Sequence, residues 1–351
     1  MTTPTETNKQ VIITKFGEPA KVLRTRVAPI PYPDRNQVLV RLVLRPINPS
    51  DVNALDGGYA GFRPKSFPAV PGFEGVGIVS HVGPGVSRVT KGQRVVTLVQ
   101  GAVGNGSWQE YVVVGEEDVV PVPDGVADTS AAQALVNPLS VLGMLDGLAP
   151  RKGDWILQDA AGSALGRMLI TVAKDRGIKT VNIVRRKQQV QELLDLGADA
   201  VIATEGLDTA ERVVKAILQA TGGKRPHGAI SAVGGNSTTV LTLAVQRGGT
   251  VFVYGALGGV TAEVHGPSLI FRDITVRGYW LTFELAKMSP SVRNAKIARV
   301  LDLMRQGIIH ADHVGEIYEL DDVVAALAKS VEPSRGGKVF LGSKTGHHAK
   351  L

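Results

Sequence analysis

Gly162 and Gly166 close the stretch Trp155-Ile-Leu-Gln-Asp-Ala-Ala-Gly-Ser-Ala-Leu-Gly166, an apolar run that breaks into small residues and then opens an amphipathic segment. Small residues at a strand-to-helix turn let backbone N–H groups approach a pyrophosphate, and the helix start favours its negative charge. Gly162, Ser163, Ala164 and Leu165 are the residues placed to do this. The turn is not a full G-x-G-x-x-G, so its spacing alone fits an ordinary strand–turn–helix as well. Further on, Val181-Asn-Ile-Val-Arg-Arg-Lys187 ends in three cations. The second strand of a dinucleotide unit ends at the adenosine ribose, where an Asp or Glu would hold the 2′-hydroxyl of NAD. Arg185, Arg186 and Lys187 suit a 2′-phosphate instead, and therefore NADPH. The bland alternative is a solvated basic strand end.

Elements that would position such a site follow from the pattern of apolar residues. Arg167 to Lys174 has helical spacing, as does Thr209 to Thr221. Strand-like runs occur at Ala200–Ala203, Gly228–Val233, Thr250–Tyr254 and Ile274–Arg277. Alternation of strand and helix predicts an α/β class with a doubly wound parallel sheet. From Val11 to Val122 the texture differs. Short β-like runs such as Gln37–Val43, Lys91–Val96 and Ser107–Val114 alternate with Gly and Pro turns, which predicts an antiparallel, barrel-like domain. The changeover falls between Asp128 and Asn137, and strand-like Val314–Tyr318 and Lys338–Leu341 return to the first domain. The expected domains are residues 1–131, 132–281 and 282–351.

The chain has 351 residues, enough for two cores. No apolar run reaches the roughly 18 residues of a membrane span. The first ten residues have neither an apolar core nor an arginine, so a cytoplasmic location is expected, with the first nine residues frayed. There are no cysteines, which excludes disulfides, thiol catalysis and cysteine-held zinc or iron–sulfur clusters. His310 and His313, beside Asp312, have ligand-like spacing but read as a solvated turn, and His347 and His348 lie in the polar tail. The net charge of +7 suits an acidic partner such as a CoA phosphate or an acyl carrier. No basic stripe interleaved with aromatics is present, so nucleic acid is not an expected partner.

Asn48-Pro-Ser-Asp51, Pro71-Gly-Phe-Glu-Gly75, Lys91-Gly-Gln-Arg-Val95, Asn137-Pro138 and the dinucleotide turn together make the chain resemble the medium-chain dehydrogenase/reductase superfamily over nearly its full length. The resemblance implies a Rossmann domain and a GroES-like barrel. Zinc alcohol dehydrogenases of that superfamily carry a cysteine where this chain has Asn48 and a histidine where it has Phe73, so no metal is expected. Within the superfamily the chain is most similar to the zinc-free 2-enoyl thioester reductases of the mitochondrial type. The stretches that carry this are Asn48-Pro-Ser-Asp-Val-Asn53 with Gly58-Tyr59, Leu135-Val-Asn-Pro138, Asn182-Ile-Val-Arg185 and Leu269-Ile-Phe-Arg-Asp-Ile-Thr-Val-Arg-Gly-Tyr-Trp280. Asp159 departs from the family, which more often has Asn there.

The resemblance implies reduction of the C2=C3 bond of a trans-2-enoyl thioester of CoA or acyl carrier protein by NADPH, in a homodimer. It makes Tyr59 the residue that assists proton delivery. A phenol of pKa about 10 can donate a hydrogen bond or proton without ionising at neutral pH, and the glycines of Gly57-Gly-Tyr-Ala-Gly61 would let the ring swing. Cofactor contacts are implied for Asn137, for Tyr254, Gly255, Ala256 and Leu257, for Tyr279, Trp280 and Leu281, and for Lys338. The same residues also have structural readings: Asn137 as a helix cap, Tyr279 as core packing, Lys338 as an exposed strand-edge residue. Asp51 and Glu74 read as structural hydrogen-bonding groups. An NADPH:quinone oxidoreductase or 2-alkenal reductase is the alternative activity, and an RNA-binding relative is a more distant one.

Overall fold

The computed structural model describes residues 7–342, apart from 100, 312 and 333–335. Two compact units form. The first takes the chain up to Val136, then Leu285–Gly307 and the chain from Ala311 onward; the second takes Asn137–Glu284 with Ile308–His310.

In the first unit, β1 (Thr7–Ile13) and β2 (Leu23–Pro29) form an antiparallel pair with Thr7 opposite Pro29 and Ile13 opposite Leu23. Residues 7–9, expected to fray, are therefore strand. The first six residues lie outside the described part of the chain. Strands β3 (Gln37–Pro46), β4 (Val76–Val82), β5 (Arg94–Thr97), β6 (Tyr111–Gly115) and β7 (Val119–Pro121) follow. Valines dominate them because β-branched side chains pack well on a pleated surface.

The second unit holds β8 (Trp155–Gln158), β9 (Lys179–Val184), β10 (Ala200–Ala203), β11 (Gly228–Ser231), β12 (Thr250–Val253) and β13 (Thr275–Gly278). All pair parallel, in the order β10-β9-β8-β11-β12-β13. The order reverses between β8 and β11, and doubly wound sheets bind ligands outside the carboxyl ends of the strands at such a point. The expected helix from Thr209 to Thr221 is Ala210–Ala220, with the two threonines as its caps. Helix Ala164–Asp175 buries Leu165, Met168, Leu169 and Val172 at helical spacing.

The chain then returns to the first unit. There β14 (Val314–Glu319) lies parallel to β15 (Lys338–Gly342), and β15 pairs antiparallel with β3. The resulting seven-stranded sheet runs β14-β15-β3-β4-β5-β7, with β6 also on β3. The His313 carbonyl accepts the Lys338 N–H at 2.8 Å, so that histidine's backbone is part of the β15 edge. Asp312, His347 and His348 lie outside the described residues. Among the described residues no helix is long and apolar enough to cross a membrane.

Candidate active site

The turn after β8 is built by hydrogen bonds that a periodicity reading does not see. Ser163 caps helix Ala164–Asp175, its Oγ accepting from the Gly166 N–H at 3.1 Å. A Cβ on Gly166 would lie 2.6 Å from the Ala161 carbonyl, so only glycine lets this helix approach the strand so closely. Gln158 donates to the Gly166 carbonyl (2.9 Å) and to Asn182 Oδ1 (2.7 Å), tying the turn to β9. Capping uses the Gly166 N–H and leaves the first N–H groups of the helix for an anion.

Asp159 is 3% exposed. Its carboxylate accepts from Ser231 Oγ and Ser237 Oγ, both at 2.7 Å, and from the Ala232 (2.6 Å) and Val233 (3.3 Å) N–H groups. Burial pushes its pKa up, against the pull of these four donors. The departure from the family pattern thus serves to clamp the β11 turn to β8 at the reversal point. Past β9, Arg185 and Lys187 are exposed and Arg186 is half-buried, and the Lys187 backbone N–H donates to Glu205 at 3.1 Å. Among the described residues, no salt bridge pairs a carboxylate with the three cationic side chains.

The loop after β12 is locked to the same turn. Tyr254 N–H donates to Ser231 O (2.9 Å) and Leu257 N–H to Ala232 O (3.0 Å). The Tyr254 hydroxyl end is buried beside Ser163, and burial raises its pKa. Ala256 and Leu257 are exposed. The Tyr279 ring packs edge-on to Phe252 at 5.8 Å, and a Cβ on Gly143 would fall 2.1 Å from its hydroxyl. Burial pushes its pKa up to about 12. Packing within the second unit accounts for Tyr279. Trp280 stacks edge-on to Phe283 at 4.5 Å, just before helix Leu281–Ala286. Asn137 is half-buried at the second residue of helix Val136–Leu148, inside its first turn.

In the first unit, Asn48 caps helix Pro49–Leu55 with Asp51 in a capping box. Tyr59 follows that helix. Its N–H donates to Asn53 O (3.2 Å), and its carbonyl accepts from the Phe62 N–H (3.1 Å) and the Arg63 guanidinium (2.9 Å). Asp56 holds the Gly58 N–H at 2.7 Å, and Phe73 sits edge-on to the Tyr59 ring at 5.5 Å. The loop expected to let the ring swing is therefore tied down. Lys338, expected to contact the cofactor, with an exposed strand-edge lysine as the alternative, is 4% exposed and turns its ammonium to Asn48 Oδ1, so the exposed-edge reading does not hold. Asn48 Nδ2 donates to Glu74 Oε1 at 2.8 Å, and Glu74 Oε2 accepts the N–H groups of Leu135 and Val136.

These residues do not fit a catalytic zinc. Zinc is bound by thiolate, imidazole or carboxylate. Here one position is a phenyl ring, and the other is a carboxamide whose oxygen already takes an ammonium.

Burial pushes the Asp51 carboxyl up to about 7, outweighing the Asn48 N–H and Lys338. Because the folded pKa lies above the unfolded one, its stabilising contribution is full below about pH 4 and is lost as pH rises through 7. Asp51→Asn should therefore gain melting temperature relative to wild type between about pH 5 and about pH 8. A difference that stays flat with pH would overturn the assignment.

The profile of the alcohol dehydrogenase GroES-like domain matches residues 34–124, and that of the zinc-binding dehydrogenase domain matches residues 164–295. The mitochondrial enoyl-[acyl-carrier-protein] reductase of Bos taurus is 35% identical over 332 residues, 93% of this chain and 86% of its own length. The chain belongs to the enoyl thioester reductase branch of the medium-chain dehydrogenase/reductase superfamily. Among solved structures, a putative NADPH:quinone reductase from Bacillus thuringiensis is 31% identical with TM-score 0.88, covering 96% of this chain and 99% of that one. The mitochondrial 2-enoyl thioester reductase heterodimer from Candida tropicalis is 25% identical with TM-score 0.83, covering 96% and 100%.

Sequence reading took Asp51 and Glu74 as structural hydrogen-bonding groups, which the structure bears out, but it missed the supports of the dinucleotide turn. The signal for Gln158 and Asn182 was a polar residue inside an apolar strand. Asp159 was visible as a departure, but its partners were not.

Proposed function

We propose that the protein reduces the C2=C3 double bond of trans-2-enoyl thioesters, of CoA or acyl carrier protein, with NADPH. The observation that carries this reading is Tyr59, fixed against Phe73 in a catalytic unit whose zinc-ligand positions are occupied by non-ligands. A carbon–carbon bond polarised by a thioester needs no metal. It needs charge stabilised on the thioester oxygen and a proton at Cα. NADPH, when bound, supplies the hydride to Cβ. Gly162, Ala164 and Leu165 offer N–H groups to the pyrophosphate beside the Ser163 cap, whose own N–H donates to Ala160 O, and Arg185, Arg186 and Lys187 hold the 2′-phosphate. Tyr254, Gly255, Ala256 and Leu257 border the cofactor, and Asn137, Trp280 and Leu281 face its nicotinamide half. Tyr279 shapes that wall through its packing. The Tyr59 hydroxyl donates to the thioester oxygen or to Cα as charge develops.

Relatives named enoyl-acyl-carrier-protein reductases span 93% of the chain, which supports the thioester. The Bacillus thuringiensis neighbour supports an NADPH:quinone reductase as second reading. A homodimer belongs to the proposal, supported by Ile270 and Phe271, which stand 73% and 72% exposed on helix Gly266–Arg272. NADPH consumption with crotonyl-CoA, a medium-chain 2-enoyl-CoA, a simple enal and a quinone, side by side, tests the activity. Turnover of the thioesters well above the others is expected. Turnover of the quinone or enal alone would replace this reading with the second.

A further inference from the structure

Four polar side chains lie together inside the first unit, and the chemistry above uses none of them. Asn48, Asp51, Glu74 and Lys338 are each at most 4% exposed. The titratable groups facing Glu74 are Lys338 and Asp51, so one ammonium lies beside two buried carboxyl groups. A lysine buried this deeply persists only when paired and hydrogen-bonded. Its ammonium is bonded to Asn48, the residue standing where the zinc alcohol dehydrogenases carry a ligand. The chain thus keeps a positive charge beside that position, as a fixed side chain instead of a metal.

The network reaches Tyr59 by two routes. Asn48 and Asp51 form the capping box of helix Pro49–Leu55, and Asn53 on that helix accepts the Tyr59 N–H. Glu74 follows Phe73, whose ring packs on Tyr59. A third arm fixes the backbone just before Asn137, through Glu74 to the N–H groups of Leu135 (3.2 Å) and Val136 (3.0 Å). Resting on the function proposed above, we propose that Lys338 is a positioning residue for the reduction. It acts as an internal cation that holds Asn48 and Glu74 in the geometry fixing Tyr59 and the Leu135–Val136 backbone.

The test compares wild type, Lys338→Met and Lys338→Arg by melting temperature, kcat, substrate KM and NADPH Kd. A misplacement of about 1 Å costs on the order of 100-fold in rate, so kcat of folded Lys338→Met should fall by about 10-fold or more. The NADPH Kd should stay within about two-fold, because the 2′-phosphate cations belong to the other unit. Lys338→Arg should recover part of kcat by restoring the charge. Folded Lys338→Met with wild-type kcat, or a loss confined to melting temperature, overturns the proposal. Should Lys338→Met not fold, Asn48→Ser severs the bridge while keeping both charges. The same fall in kcat at constant NADPH Kd is then expected, and wild-type kcat overturns the proposal. Wild-type turnover of crotonyl-CoA is measured alongside. Its failure, with turnover of a quinone, removes the thioester reading, and the same variants are then compared on the quinone.

Discussion

Arg185→Asp combined with Arg186→Ala is expected to raise the NADPH Kd by about 100- to 1,000-fold while leaving NADH binding nearly unchanged or tighter. Each guanidinium–phosphate hydrogen bond contributes about 1.5–3 kcal/mol, and two of them amount to about two to four decades in affinity. Arg185 is exposed and Arg186 half-buried, which places the effect toward the lower end. The introduced carboxylate adds repulsion toward a 2′-phosphate and offers an acceptor to the 2′-hydroxyl of NAD. Lys187 stays, so some preference for NADPH survives. Titration of both cofactors into wild type and the double variant, at two salt concentrations, checks this. The wild-type preference should shrink as salt rises, because these cations meet the phosphate near solvent. Equal weakening of NADPH and NADH would remove the 2′-phosphate assignment.

How far the sequence foretold this structure differs between its levels. The doubly wound sheet was legible because most of its strands are short, largely apolar runs set off by turns. Ala200–Ala203 is strand over the expected residues, and the other runs shift by only a residue or two at their ends. Strand β15 was legible as the strand-like run Lys338–Leu341. What could not be read were contacts between residues far apart in the chain. Asp159 meets Ser231 across 72 residues, and Lys338 meets Asn48 across 290. Neither pairing leaves a period, and each reverses the meaning of a residue read locally. Lys338 read alone is an edge lysine, and only its partners make it an internal cation. The Tyr59 loop misleads in the same way. Its glycines signal freedom, but the Asp56 carboxylate and the Arg63 guanidinium remove it.

That tethering shapes the second large effect. Tyr59→Phe should lower kcat for enoyl thioester reduction by about 100-fold, within the usual contribution of a positioned acid. The ring and its packing on Phe73 remain, so the melting temperature should hold. The NADPH Kd should hold as well, because the substitution removes one hydroxyl from the unit that lacks the dinucleotide turn. A hydroxyl that acts only as charge develops lowers kcat and kcat/KM together; one that binds ground state and transition state equally raises KM and spares kcat. The pinned loop favours the first outcome, since a donor held by its own backbone need not reorganise when charge appears. Steady-state kinetics with crotonyl-CoA separates the two. An unchanged rate would take Tyr59 out of the reaction and leave water as the proton source. A rise in KM alone would keep Tyr59 at the site as a binding group for the thioester.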